Sequence, residues 1–152
     1  MPVENPAISL SGKSCTVPFT APQTVATGNG LNPLLGSPLI NDMGATFSLT
    51  EIIIPTGVSK IVMYGSIEGF VPTGKTGRVN LLFLVNGSVR AGTPVHAHVE
   101  AAASGACVIS IASPPINVTA GDTIALNVFN LSGGTLTISQ PTSSYVAVLV
   151  VA

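Results

Sequence analysis

The feature that most limits the fold of this chain is a series of short apolar, β-branched runs, each closed by Gly, Pro, Asn or Asp. Such runs, with turn residues about every 8–12 positions, are typical of antiparallel β-sandwiches. Helical spacing of apolar residues is not sustained anywhere, and residues 100–103 could form one helical turn at most. Asn86-Gly87 is the strongest hairpin signal in the chain. The sequence therefore predicts an all-β fold, a single antiparallel sandwich with a barrel as the alternative.

A chain of 152 residues is long enough to enclose one hydrophobic core, so residues 1–152 are predicted to form one domain. The predicted strands are residues 14–20, 45–48, 51–54, 59–70, 78–85, 107–112, 116–118, 123–131, 135–139 and 145–151.

Two segments fall outside the predicted strands. Residues 1–11 are expected to form an N-terminal arm, and residues 22–41, rich in Gly, Asn and Pro, a long inter-strand loop. Loops of this length in compact domains are usually functional or disordered, and they are ordered only where something holds them. We expect both segments to reach adjacent protein subunits.

The surface is predicted to carry little charge. Only 7% of the residues are Asp, Glu, Lys or Arg, whereas the chain holds fifteen serines and fifteen threonines. Hydroxyl groups cost less to remove from water than ionised groups, and the centres of protein interfaces are depleted in charge. This composition favours contact with neighbouring subunits, and the alternative is a neutral surface on a sugar- or peptide-binding monomer.

The charge pattern and the apolar runs also bear on partners and location. The net charge is −1 and the five basic residues are scattered, which argues against nucleic acid. No secretory signal and no long uninterrupted apolar segment are visible, so we expect no membrane partner and a cytoplasmic origin. In a reducing compartment Cys15 and Cys107 are expected to be buried free thiols, with a disulfide as the alternative.

The last predicted strand is apolar on both faces. Val146, Val148 and Val150 alternate with Ala147, Leu149 and Val151. One face can contact the core of the domain, but the other needs a second layer or a partner chain. The residues that we predict at a subunit interface are Val146, Val148, Val150, Leu34 and Leu35.

His96, His98 and Glu100 form the most suggestive group of polar residues. At alternate positions of a strand, their side chains would share one face and could make half of a metal site. Cupins also contain His-x-His, but their Glu lies further along and they add a third His, which this chain lacks. The alternatives are ordinary polar strand residues, an ion or subunit contact on a symmetry axis, and a catalytic metal. We expect the first, and therefore no cofactor and no enzymatic activity.

Several segments together resemble the C1q/TNF-like jelly-roll family. They are Pro18-Phe19-Thr20, the stretch from Thr50 in which an apolar run and a Pro/Gly turn lead into the strand Ile61-Val62-Met63-Tyr64-Gly65-Ser66-Ile67, Leu81-Leu82-Phe83-Leu84-Val85-Asn86-Gly87, the Gly121-Asp122 turn with the strand after it, and the closing Ser144-Tyr145-Val146-Ala147-Val148-Leu149-Val150. The resemblance covers most of the chain from about residue 14. It implies a jelly roll that packs as a compact trimer around a three-fold axis.

The chain also departs from the animal members of that family, because it has no collagen-like stalk and few aromatic residues. Proteins of the C1q/TNF-like shape that lack a secretory signal are mainly bacteriophage capsid decoration (cement) proteins and tail-fibre heads, so the resemblance implies a virion protein. The expected function is a homotrimer that binds the major capsid protein on the outer capsid surface, after assembly in the host bacterial cytoplasm. The alternative is the receptor-binding head of a tail fibre that recognises a host glycan or surface protein. Carbohydrate sites usually carry exposed aromatic residues, and the chain has no Trp.

Overall fold

The computed structural model describes residues 10–20, 22–71, 76–89, 95–100, 106–139 and 143–152, and these residues contain strands and turns but no helix. The strands, in chain order, are β1 (Leu10–Pro18), β2 (Gln23–Val25), β3 (Gly30–Leu31), β4 (Ile40–Asn41), β5 (Thr46–Phe47), β6 (Ile52–Ile53), β7 (Lys60–Phe70), β8 (Thr76–Val85), β9 (Ser88–Val89), β10 (Val95–Glu100), β11 (Ala106–Ala112), β12 (Ile116–Asn117), β13 (Thr123–Ser132), β14 (Leu136–Ile138) and β15 (Tyr145–Val151). Every pair among them is antiparallel.

The first sheet is centred on β7 and has the order β2-β14-β7-β15-β1-β4. β15 pairs with residues 61–66 of β7, and β11 pairs with residues 64–70 of the same strand. Because the two pairings overlap, β11 must lie along the opposite edge of β7 from β15. The side chains of β7 alternate between buried and half-exposed, as in a strand with one face on the core.

The second sheet has the order β10-β8-β13-β6-β5, with β3 also paired to β13 and β9 to β8. Asn86 and Gly87 connect β8 to β9 and have φ angles of 52° and 75°. Positive φ at both turn residues is the requirement of the tight hairpin that Asn-Gly favours. The Val85–Ser88 register on either side of this turn confirms the predicted hairpin.

One hydrophobic core lies between the two sheets. Its largest fully buried side chains are Phe19, Phe83, Ile52, Ile54, Ile61, Met63, Ile67, Leu81, Ile124, Leu126, Leu136 and Ile138. The strands that supply them were mostly predicted within a few residues. The strands β2, β3, β4 and β9 were not predicted, because each has only two or three residues. β10 was also absent from the predicted strands, although its apolar residues alternate with His96, His98 and Glu100.

The structure corrects the predicted interface on the last strand. Val146, Val148 and Val150 are almost completely buried inside the core of the single chain, so a partner chain cannot contact them. The alternation was right, but the face that remains outside the core carries Tyr145, Ala147 and the other odd-numbered residues.

The segment from residue 22 to 41 is also corrected, because it is not a structureless loop. It contains β2, β3 and β4. Leu35 forms a bridge with Phe19, the backbone N–H of Gly36 donates to the carbonyl of Pro18 at 2.7 Å, and the N–H of Leu34 donates to Oε1 of Gln23 at 2.8 Å. The segment is therefore held by its own chain and needs no neighbouring subunit for order. Of the predicted arm, residues 10 and 11 belong to β1, and residues 1–9 lie outside the described residues.

Candidate interaction face

The surface of the first sheet that points away from the core is the candidate functional site, and we call it the contact face. Register places its residues side by side, because residues opposite each other on paired strands share one side of a sheet. Ala147 lies opposite Tyr64 and Thr16, and Val108 lies opposite Glu68. The contact face comprises Thr16, Val62, Tyr64, Ser66, Glu68, Val108, Ser110, Tyr145, Ala147 and Leu149.

Two tyrosines lie near the middle of the contact face. The rings of Tyr64 and Tyr145 have centroids 5.8 Å apart and are tilted by 30°. Such tilted pairs are favourable arrangements of aromatic rings. The pKa of Tyr145 is raised by partial burial, and further by the charge of, and a hydrogen bond with, Tyr64. At neutral pH the phenol of Tyr145 is therefore uncharged and presents a polar tip on an apolar body.

The rest of the contact face is almost free of charge. The hydroxyl of Ser110 donates to Oγ of Ser66 at 3.2 Å, so these two neighbouring hydroxyls are paired with each other. Val108 is 69% exposed. Glu68 is the one carboxylate of the face, and Lys60 is exposed on the same side of β7 at the start of the strand. The backbone of Glu68 is held by Ser144, whose Oγ accepts the N–H of Glu68 at 2.9 Å. The carboxylate of Glu68 has no hydrogen-bond or ion-pair partner among the described residues.

A second exposed apolar surface follows the β4 edge of the first sheet, and we call it the rim patch. It consists of Leu34, Leu39, Ile40 and Leu49, of which Leu39 and Leu49 are 72% and 78% exposed. The N–H of Leu39 donates to Thr16, and the carbonyl of Leu49 accepts the N–H of Leu35, so the patch lies beside the contact face. Of the two predicted interface residues here, Leu34 is exposed, whereas Leu35 is half-buried against the core.

The predicted group His96, His98 and Glu100 lies on β10, at the edge of the second sheet. In register these residues are opposite Asn80, Arg78 and Thr76. Glu100 is the last residue of β10, and residues 101–103 of the predicted helical turn lie outside the described residues. The side chains of the three lie outside the described part of the structure, so the metal half-site stays a prediction. Among the described residues no three His, Cys, Asp or Glu side chains are grouped to hold a metal ion.

Cys15 is a free thiol, fully buried in the core, which agrees with the expectation for this residue. Burial raises the pKa of the Cys15 thiol from 9.0 to about 11. Because the thiolate is the nucleophile and the metal ligand, a thiol with this pKa is unreactive at neutral pH. Cys107 lies on β11 opposite Gly69, and its side chain is outside the described part.

The residues that define the contact face were missed in the sequence, although one signal was visible. Tyr64 and Tyr145 each place a polar hydroxyl within a run of otherwise mostly apolar residues. In the described segments, no helix is long and apolar enough to cross a membrane.

Comparisons with known proteins identify the fold. No protein-family model matches the chain, and no curated protein matches it. Among solved structures, Eiger TNF from S. frugiperda superposes with a TM-score of 0.61 at 12% sequence identity, over 92% of each chain. Murine APRIL, crystallised at pH 5.0, superposes with a TM-score of 0.57 at 11% identity, over 91% of this chain and 98% of the other.

The fold is therefore a TNF-like jelly roll, which confirms the all-β prediction and the fold that the sequence resemblance implied. Identities of 12% and 11% establish the fold alone, because one fold can carry unrelated functions.

Proposed function

We propose that this protein is a structural virion protein: a homotrimeric bacteriophage capsid decoration protein that binds the outer shell and clamps neighbouring capsid subunits. The observation that supports the proposal best is the contact face, a wide sheet surface with one carboxylate, one lysine at its end and otherwise hydroxyl, aromatic and aliphatic groups. Such a surface is inexpensive to dehydrate and suited to permanent contact. The proposed protein acts through contact area and carries out no chemical reaction.

Self-association through the contact face follows from its composition. A ring of three copies uses heterologous contacts, in which the face of one copy meets a different surface of the next. With one carboxylate and one lysine on this side of the sheet, little like-charge repulsion opposes this approach. Tyr64 and Tyr145 supply large, rigid and amphipathic contact area, the kind that is enriched at the centres of interfaces.

The rim patch is our candidate for the surface that binds the major capsid protein. Leu39 and Leu49 are exposed although they are large and apolar, and the patch lies on an edge that the contact face does not include. A trimer would present three such patches at once. Three linked weak contacts bind far more tightly than one, which suits a protein that clamps neighbouring subunits.

The first experiment measures the copy number of this protein in purified bacteriophage particles by quantitative mass spectrometry, with the major capsid protein as the internal reference. A ratio within a few-fold of the capsid protein supports decoration of the head. A trace ratio overturns it and favours the receptor-binding head of a tail fibre. Absence from particles overturns both virion functions.

A second experiment separates oligomeric state from location. Native mass spectrometry of the purified full chain at micromolar concentration is expected to show a trimer. A monomer at that concentration would contradict the proposal, whatever the copy number. Leu39→Ser is the matched variant for the rim patch: it should leave the trimer intact and reduce incorporation into particles.

A further inference from the structure

In the proposed trimer, one charged group on the contact face has no partner among the described residues of its own copy. The carboxylate of Glu68 lies half-buried on the contact face without a partner among the described residues. A neighbouring copy that covers this face would remove the carboxylate from water. Burying an unpaired charge is strongly unfavourable, so the covering surface must bring a cation or several donors to Glu68.

Symmetry restricts where that cation can lie. A rotation about a three-fold axis along the contact face does not change the height of a residue along that axis. The cation must therefore lie at the same end of the sandwich as Glu68. Glu68 is near the end of β7 at Phe70, and β8 begins at Thr76 after a short connection. The start of β8 is therefore at this end.

Arg78 fulfils this requirement. It is exposed near the start of β8, opposite residue 98 of β10, the edge strand of the second sheet. Its guanidinium has no ion pair or hydrogen bond to another described residue. Lys13 and Lys60, the other basic residues in the described ranges, lie at the opposite end, near the start of β1 and of β7.

We infer that Glu68 of one copy forms an ion pair with Arg78 of the next copy around the three-fold axis. This inference rests on the proposed trimer and specifies it further: the contact face of one copy meets the β10 and β8 edge of its neighbour. The β4 edge, which carries the rim patch, supplies no cation at that end and stays free for another partner. Arg suits the site because its planar guanidinium can bind both carboxylate oxygens.

The test is a charge reversal on the full chain, followed by sedimentation equilibrium. Glu68→Arg and Arg78→Glu are each expected to weaken the trimer by at least about tenfold per contact, and the double variant to restore it to within about tenfold of wild type. Asp42→Arg and Lys13→Glu are the matched controls, since both residues are exposed and outside the contact face. Circular dichroism verifies that each variant is folded.

The possible outcomes are distinct. A wild-type monomer overturns the proposed trimer and the ion pair together. A wild-type trimer in which both reversals weaken association no more than the controls do overturns the pair and leaves the trimer. If both reversals weaken association but the double variant does not recover, Glu68 pairs elsewhere and the inference is wrong. Recovery of Glu68→Arg by Lys75→Glu in place of Arg78→Glu would likewise overturn it.

Discussion

Tyr145 and Tyr64 approach each other from neighbouring strands, with ring centroids 5.8 Å apart on the outer side of the first sheet. Their partners in register are Ser66 and Ala147, two small residues that leave room for both rings. The sheet thus presents one continuous aromatic surface at the place where Val146 and Val148, on the same strand, point into the core. This pair is the centre of the contact face.

Removing one ring should weaken the trimer. Tyr145→Ala is expected to raise the dissociation constant by about tenfold or more per contact, since truncating a buried interface aromatic costs about 2 kcal/mol or more. Tyr145→Phe keeps the ring and should stay within about threefold of wild type. Sedimentation equilibrium measures both. Equal association of the alanine variant and wild type would show that the tyrosine pair lies outside the subunit contact.

The stability of the fold should depend on the ionisation of Cys15. The folded state favours the neutral thiol, with a pKa of about 11 against 9.0, so folded protein binds this proton more tightly than unfolded protein does. The contribution of the buried neutral thiol to the free energy of unfolding is complete below pH 9 and is lost as the pH rises towards 11. Two pKa units correspond to about 3 kcal/mol.

Urea unfolding at pH 8, 9.5 and 11 measures this loss. Cys15→Ala is expected to be less stable at pH 8, because it leaves a small cavity, and to lose less stability than wild type as the pH rises. Tyr145→Phe provides the matched control for the ionisation of the tyrosine. If the stability of the Cys15→Ala variant fell with pH as steeply as that of wild type, Cys15 ionisation would not be the cause of the loss.

Asn130 is a fully buried amide of β13 whose four hydrogen bonds join this strand to β2 and to the turn that follows β13. Its Nδ2 donates to the carbonyls of Val25 and Gly134, both at 2.8 Å. Its Oδ1 accepts the N–H of Ser132 at 2.9 Å and the hydroxyl of Ser132 at 2.6 Å. Asn130→Ala is expected to lower the free energy of unfolding by about 3 kcal/mol, because it leaves buried groups unpaired. Ser132→Ala should cost only about 1 kcal/mol in the same denaturation experiment.

Gly77 should tolerate no side chain. It lies opposite Ser132, and a Cβ atom added to Gly77 would be 2.5 Å from Cα of Ser132 and 2.7 Å from the carbonyl oxygen of Leu131. Both contacts are with backbone, so they cannot be relieved by a rotamer change. Gly77→Ala is expected to cost more than about 3 kcal/mol, whereas Gly87→Ala, which meets no neighbouring atom but has φ of 75°, should cost about 1–2 kcal/mol. Similar unfolding midpoints for the two variants would contradict this difference.

The long strands were predictable because their information is local. β7, β8, β13 and β15 have period-two alternation or nearly continuous apolar runs bounded by turn residues, a pattern typical of strands. The Asn86-Gly87 turn was predictable for the same reason, since its φ requirement belongs to two adjacent residues. The strands between residues 22 and 41 were not, because two- and three-residue strands exist only where a distant partner offers hydrogen bonds.

The contact face depended on tertiary structure. Alternation in β15 establishes that Val146 and Ala147 lie on opposite faces, but both faces are apolar, so the sequence cannot say which one meets the second sheet. Only the packing of the second sheet against one side of β7 and β15 makes that choice. The pairing of β7 with β15 brings Tyr64 and Tyr145 together from distant parts of the chain, on the side that the second sheet leaves open. Glu68 lies on this same side without a partner among the described residues. By itself the sequence determined an all-β chain with little charge to bury, because composition and period are local properties; the tertiary structure decided which surface stays open, because that depends on which layers meet.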